Sequence, residues 1–140
     1  KFAVLALGFE KVIQAGEYSI PKESSAIQIL RILRSGKTVV RRFLAVEGLY
    51  TSEILNRLRE TEGLMGNATE FTKEGELLPE TYHFSFGDSR NDLVKRMKVA
   101  MKTESQKLWS LRKPGLPLKT LEEAIILASI VEKEIQMISD

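Results

Sequence analysis

The chain has 140 residues, 43% hydrophobic and 29% charged, with a formal net charge of +2 and no cysteine. That length holds one ordinary domain or two small lobes with a real core, and the composition is that of a globular chain rather than a disordered one. Disulfides and thiolate metal sites are excluded. The basic residues are dispersed, as at Arg41-Arg42 and Lys95-Arg96, without the aromatic interleaving of a strand-binding groove, so no nucleic-acid partner is expected. No run reaches the roughly 20 apolar residues of a membrane-spanning helix. The longest, Ala124 to Val131, contains Ser129.

In chain order, Lys1 to Leu7 alternates like a strand and lacks an initiator Met. It reads as the cut edge of a longer chain whose anchor or targeting segment is elsewhere or never existed. Gly16 to Pro21 is a short extended run. Ser24 or Ser25 then caps a helix striped by Ile27, Leu30 and Leu33, and Gly36 is placed to end it in the left-handed conformation. Thr38-Val39-Val40 and Arg42 to Val46 predict strand. Glu47-Gly48 turns the chain, Thr51 is the expected cap, and Ile54, Leu55 and Leu58 form the apolar face of a second helix. Residues Thr61 to Thr72 are polar and punctuated by glycine, with room for some further helix. Leu77 to Phe84 is expected to be extended, since Pro79 disfavours helix at Leu78. Asp88 or Ser89 caps the next helix, with Leu93, Met97, Met101 and Leu108 on one side. Pro114-Gly115-Leu116-Pro117 is a turn, and Thr120 with Glu123 opens the last helix as a capping box. The two strand–helix units match too loosely to be a repeat.

That last helix is apolar nearly all round from Ala124 to Val131 and is expected to be a buried core element. It runs directly into Glu132-Lys133-Glu134. Carboxylates leaving a buried helix sit where desolvation can raise a carboxyl pKa enough for acid catalysis. The two glutamates lie about 200° apart around the helix, so they cannot be a paired acid and nucleophile. Glu134 continues the stripe Ala124, Leu127, Val131, and Glu132 continues Ile125, Ser129; helical geometry alone does not choose between them. The plainer reading of the residues is two solvated charges where a helix meets water.

Other groups point to less. His83 is the only histidine and reads as a structural or surface residue. Gly63-Leu64-Met65-Gly66 lacks the Lys-Ser/Thr of a phosphate loop, and Glu70, Glu74, Glu76 and Glu80 lack calcium-loop spacing, so no metal is expected.

Ala128-Ser129-Ile130-Val131-Glu132-Lys133-Glu134 resembles the signature of the endolytic murein transglycosylases, the MltG or YceG-like family. Three further blocks agree in order. Glu74-Gly75-Glu76-Leu77-Leu78-Pro79-Glu80-Thr81-Tyr82 is similar to the family's E-G-x-L-x-P-[DE]-T-Y stretch. Ala15-Gly16-Glu17-Tyr18 with Ile29 to Gly36 is similar to A-G-x-Y … I-L-x-x-L-x-x-G, and Val46-Glu47-Gly48 stands where the family has P-E-G. The resemblance implies an α+β chain in three parts. An N-terminal β/α segment would cover 1–40 and a LysM-like, glycan-holding module 41–82. The helical beginning of the catalytic domain would cover 83–140.

It also implies an activity: non-hydrolytic cleavage of the MurNAc-GlcNAc β-1,4 bond in peptidoglycan strands, leaving 1,6-anhydro-MurNAc ends, with neither metal nor organic cofactor. Glu134 would be the acid and base, because in related lytic transglycosylases the acid ends an apolar helix before a Ser or Thr; Glu132 is the alternative. The full-length protein would be anchored by one membrane helix and act outside the cytoplasmic membrane, near the wall-synthesis machinery. Two departures stand out. Ile135 replaces the usual Thr, and Ile135 to Asp140 leaves the family pattern before the chain stops. An incomplete catalytic groove is therefore expected, and the rival expectation is a non-catalytic peptidoglycan-binding chain. A second rival, aminodeoxychorismate lyase, would need a pyridoxal-phosphate lysine, and no phosphate cup is visible.

Overall fold

A computed structural model describes residues 13–139, with side chains as far as Ile135. The strand expected at 1–7 lies outside the described residues. Among those described, four helices accompany a two-stranded antiparallel sheet, in the order α1 (Ala26–Ser35), β1 (Val40–Leu44), α2 (Thr51–Glu60), β2 (Thr81–Ser85), α3 (Arg90–Ser110) and α4 (Leu121–Ser139). The architecture is α+β. None of these helices is long and apolar enough to cross a membrane.

Local chemistry sets the helix ends. Ser25 Oγ accepts from the Gln28 N–H at 3.3 Å while Gln28 Oε1 accepts from the Ser25 N–H at 2.7 Å, a closed capping box at the start of α1. Gly36, at φ 66°, ends α1 in the left-handed region. The segment 16–21 forms no strand, although the Glu17 carbonyl accepts from the Val39 N–H at 2.7 Å. Glu17 also takes a two-pronged ion pair from Arg41, at 2.7 and 3.0 Å, and that hydrogen bond holds its carboxyl below the ordinary value.

The core lies where α2 and α3 meet the sheet. Register pairs Val40 with Ser85 and Phe43 with Tyr82. Phe43, Ala45, Tyr82 and Phe84 turn inward to meet Ile54 and Leu58 of α2 and Leu93, Val94 and Met97 of α3. Fully burying one such large side chain is worth about 1.5–3 kcal/mol, so this cluster outweighs the short sheet as the source of stability. The Tyr82 hydroxyl enters the core by donating to the Leu78 carbonyl at 2.8 Å, and burial pushes the phenol up to about 12. The division expected at 82/83 falls inside β2, and α3 shares one core with α2.

Residues 61–80 carry no helix and are tied down by α3. Arg90 donates to four carbonyls, those of Leu58, Arg59 and Thr61 at the end of α2 and that of Gly66, at 2.9–3.1 Å. A guanidinium there satisfies the open carbonyls of a helix end and opposes its negative dipole. The Asn91 side chain accepts from the Thr69 and Glu70 N–H groups at 2.9 and 3.2 Å.

Further expectations need correction. Thr51 is the first residue of α2, not its cap; Tyr50 holds that position, and the Thr51 hydroxyl donates to the Lys73 carbonyl instead. More important, α4 is not a buried core helix. Its capping box is present, with Glu123 N–H donating to Thr120 Oγ1 at 3.2 Å, but Ile126, Leu127, Ile130 and Val131 are all 47–54% exposed. Apolar composition makes burial favourable but supplies no covering surface. Here α4 lies along the outside of the molecule, touching α3. Leu108, expected on the packed side of α3, is likewise exposed.

Candidate functional site

The candidate acids sit on α4, and what places them is how that helix rests on the body. Two loops lie under it, each containing a Glu-Gly pair with its glycine at positive φ: Glu47-Gly48 (φ 74°) and Glu74-Gly75 (φ 78°). Toward the start of α4, Ile125 comes down on Gly75 so closely that a Cβ there would lie 3.0 Å from Ile125 Cγ2. Toward its end, Lys133 Nζ donates to the Gly48 carbonyl at 2.6 Å and stands 4.3 Å from the centre of the Tyr50 ring.

The two loops are also tied to each other. The Glu74 carboxylate accepts from the Thr51 N–H at 3.0 and 3.2 Å, placing an anion at the open N-terminus of α2. Glu53 adds a second carboxylate there, accepting from the Tyr50 N–H at 2.8 Å. Beyond Glu74, Glu76 accepts from the Lys73 N–H at 3.0 Å and pairs with Lys98 of α3 at 3.2 Å. The Lys73 hydrogen bond is the main reason its carboxyl lies below the ordinary value, and Lys98 acts in the same direction.

Glu132 and Glu134 flank Lys133, and both are exposed. Neither side chain makes a hydrogen bond or ion pair with another described residue. The desolvated setting expected for them is therefore not present, because the helix that carries them is not buried. They remain about 200° apart on a continuous helix, so the arrangement offers one carboxyl per side and no carboxylate pair. His83 lies exposed on β2, with its carbonyl accepting from Arg96 at 2.8 Å. Among the described residues no group of three or more His, Cys, Asp or Glu side chains could hold a metal ion.

The carboxylates are visible in the sequence as a motif, but the contacts of their helix with the loop beneath are not: Lys133 with the Gly48 carbonyl and the Tyr50 ring, and Glu74 with the Thr51 N–H. One signal was available. Glu-Gly occurs in two of the resembling blocks, and an acid beside a glycine is suited both to capping a nearby helix and to letting another backbone pass close above it. A model of the YceG-like family matches the chain over residues 1–140. No curated protein matches it.

Proposed function

The chain belongs to the YceG-like family, and from that premise we propose that it acts on peptidoglycan as an endolytic lytic transglycosylase with Glu134 as its acid and base. The observation that carries this reading is the meeting of three family-like blocks at one place: α4 with its Glu132-Lys133-Glu134 segment lies over Glu47-Gly48 and Glu74-Gly75. A chemistry needing one carboxyl suits this arrangement. Protonated Glu134 would give its proton to the glycosidic oxygen between MurNAc and GlcNAc as the C1–O bond breaks. The carboxylate so formed would take the proton from the sugar's own C6 hydroxyl as that oxygen bonds to C1, closing the 1,6-anhydro ring. No water is consumed, and no second carboxylate is required, in contrast to hydrolytic glycosidases. The segment 41–82, which covers most of β1, all of α2 and the start of β2, would hold the glycan as a LysM-like module. The full-length protein would be membrane-anchored and act at the outer face, beside the wall-synthesis machinery.

The test is Glu134→Gln in the full-length protein acting on purified peptidoglycan. General acid–base catalysis is worth about 10²–10⁴-fold, and anhydro-end formation should fall by that much, whereas Glu132→Gln should cost far less. If Glu132→Gln abolishes cleavage while Glu134→Gln does not, the assignment is reversed; if neither does, the mechanism is wrong. The second reading, a non-catalytic peptidoglycan binder, draws on the exposure of Glu134 and of the apolar residues around it. It requires retention on insoluble peptidoglycan with no anhydro product from the wild-type protein.

A further inference from the structure

The residue between the two glutamates is the less exposed one, and its ammonium goes to neither of them. Lys133 reaches across to the β1–α2 loop, a separation of 85 residues, to donate to the Gly48 carbonyl at 2.6 Å. The face of Tyr50 lies 4.3 Å away. A lysine flanked by carboxylates on an exposed helix ordinarily keeps its ammonium in water. Here the charge is held by a carbonyl dipole and an aromatic quadrupole, two partners that both require a defined direction of approach.

We propose that Lys133 is a positioning residue for Glu134, a clamp that fixes the roll of the C-terminal half of α4 over the Gly48–Tyr50 loop. Successive helical residues are about 100° apart, so pointing Lys133 at the loop fixes Glu134 on one flank and Glu132 on the other. Among the described residues beside it on α4, Ile130 and Val131 are exposed, so their packing leaves the roll of this segment loosely defined. The loop supplying the carbonyl is itself held, through the Thr51 N–H on Glu74. The role of Lys133 in turnover rests on the reading of Glu134 as the acid; the clamp itself does not.

Two readouts in the full-length protein separate these. Spin labels at Ser52→Cys on α2 and Ser129→Cys on α4, both exposed positions, report the seating of the helix whether or not the protein turns over. Lys133→Met should broaden the inter-label distance distribution. It should also lower kcat for anhydro-end formation by about 10–100-fold, the scale of a misplaced catalytic group, while KM stays nearly constant. Lys133→Arg, which also donates to carbonyls and stacks on rings, should restore the narrow distribution and most of kcat. Tyr50→Leu should lower kcat in the same direction, and adding it to Lys133→Met should cost much less than the product of the two single losses. A narrow distribution in Lys133→Met, or Lys133→Arg no better than Lys133→Met, overturns the clamp. If wild-type protein forms no anhydro ends, the functional reading fails, and the distances still judge the clamp.

Discussion

Leu58 of α2 and Ile130 of α4 are both aliphatic residues on regular helices, yet Leu58 is 0% exposed and Ile130 54%. The two helices are built differently. Around α2 the apolar residues Ile54, Leu55 and Leu58 form one stripe, and the rest of the helix is Thr, Ser, Glu, Asn and Arg. Only one orientation hides the stripe and leaves the charges in water. Around α4 apolar residues occupy almost every direction, so a single supporting surface can cover only part of them. Periodicity tells which face a helix will bury. Apolar content alone tells only that burial would be favourable.

The widest contrast comes from truncating each helix. Leu58→Ala should destabilise the protein by about 2–5 kcal/mol in urea denaturation with an unchanged m-value, because it opens a cavity among Phe84, Leu93 and their neighbours. Ile130→Ser should shift stability by less than about 0.5 kcal/mol, as expected of a surface change. Equal losses would mean that α4 is as much a part of the core as α2.

Next in size is the tie between α2 and α3. Arg90→Met removes the donors to the Leu58, Arg59, Thr61 and Gly66 carbonyls. Some of those carbonyls can turn to water, so a cost of about 1–3 kcal/mol is expected from denaturation. Hydrogen exchange should quicken in the last turn of α2 before it quickens at Leu93. A uniform change across both helices would show that Arg90 supports the whole fold rather than that junction.

The smallest effect concerns pH. Glu76 titrates below its ordinary value of 4.5 in the folded chain. Its contribution is therefore present above pH 4.5 and is lost as the pH falls through the lowered folded value. The carboxylate is partly exposed, so solvent screening keeps this contribution small. Glu76→Gln should make the acid side of the stability–pH curve shallower in that window and leave its shape near neutrality unchanged. A steeper acid limb would contradict the sign.

These contrasts follow what the sequence could and could not convey. The N-caps at Ser25 and Ser89, each one of two adjacent candidates, and at Thr120 were legible because hydrogen bonds from a side chain to its own helix end decide them within about four residues. Gly36 was legible because its left-handed φ is a property of that one residue. The faces of α2 and α3 were legible as far as Met97, where the stripe meets a core. The pairing of Val40 with Ser85 was not, since nothing local in either strand specifies a partner some forty residues away. For the same reason Glu74 was visible only as one of an acidic group and as the first residue of a resembling block, although its carboxylate accepts the first N–H of α2. In the candidate site, the glutamates were visible as a motif, but their exposure was not, because exposure depends on what lies opposite the helix. Thr51 lies inside α2 rather than at its cap, and its hydroxyl donates to the Lys73 carbonyl, a partner absent from the local sequence.

The seat of Ile125 on Gly75 makes α4 a lever. Its other support, Lys133, lies eight positions further along, about 12 Å at 1.5 Å per residue. A side chain at position 75 would act as a shim under one end. Lifting Ile125 by about 1 Å while Lys133 stays seated tilts the helix by only about 5° on that span. Glu134 sits next to the fixed end and would hardly move, whereas Leu121 and the Pro114–Pro117 turn would swing outward with the raised end. Drift at that turn could thus be absorbed along the lever without reaching the carboxyl, so long as the fulcrum at Gly48 holds.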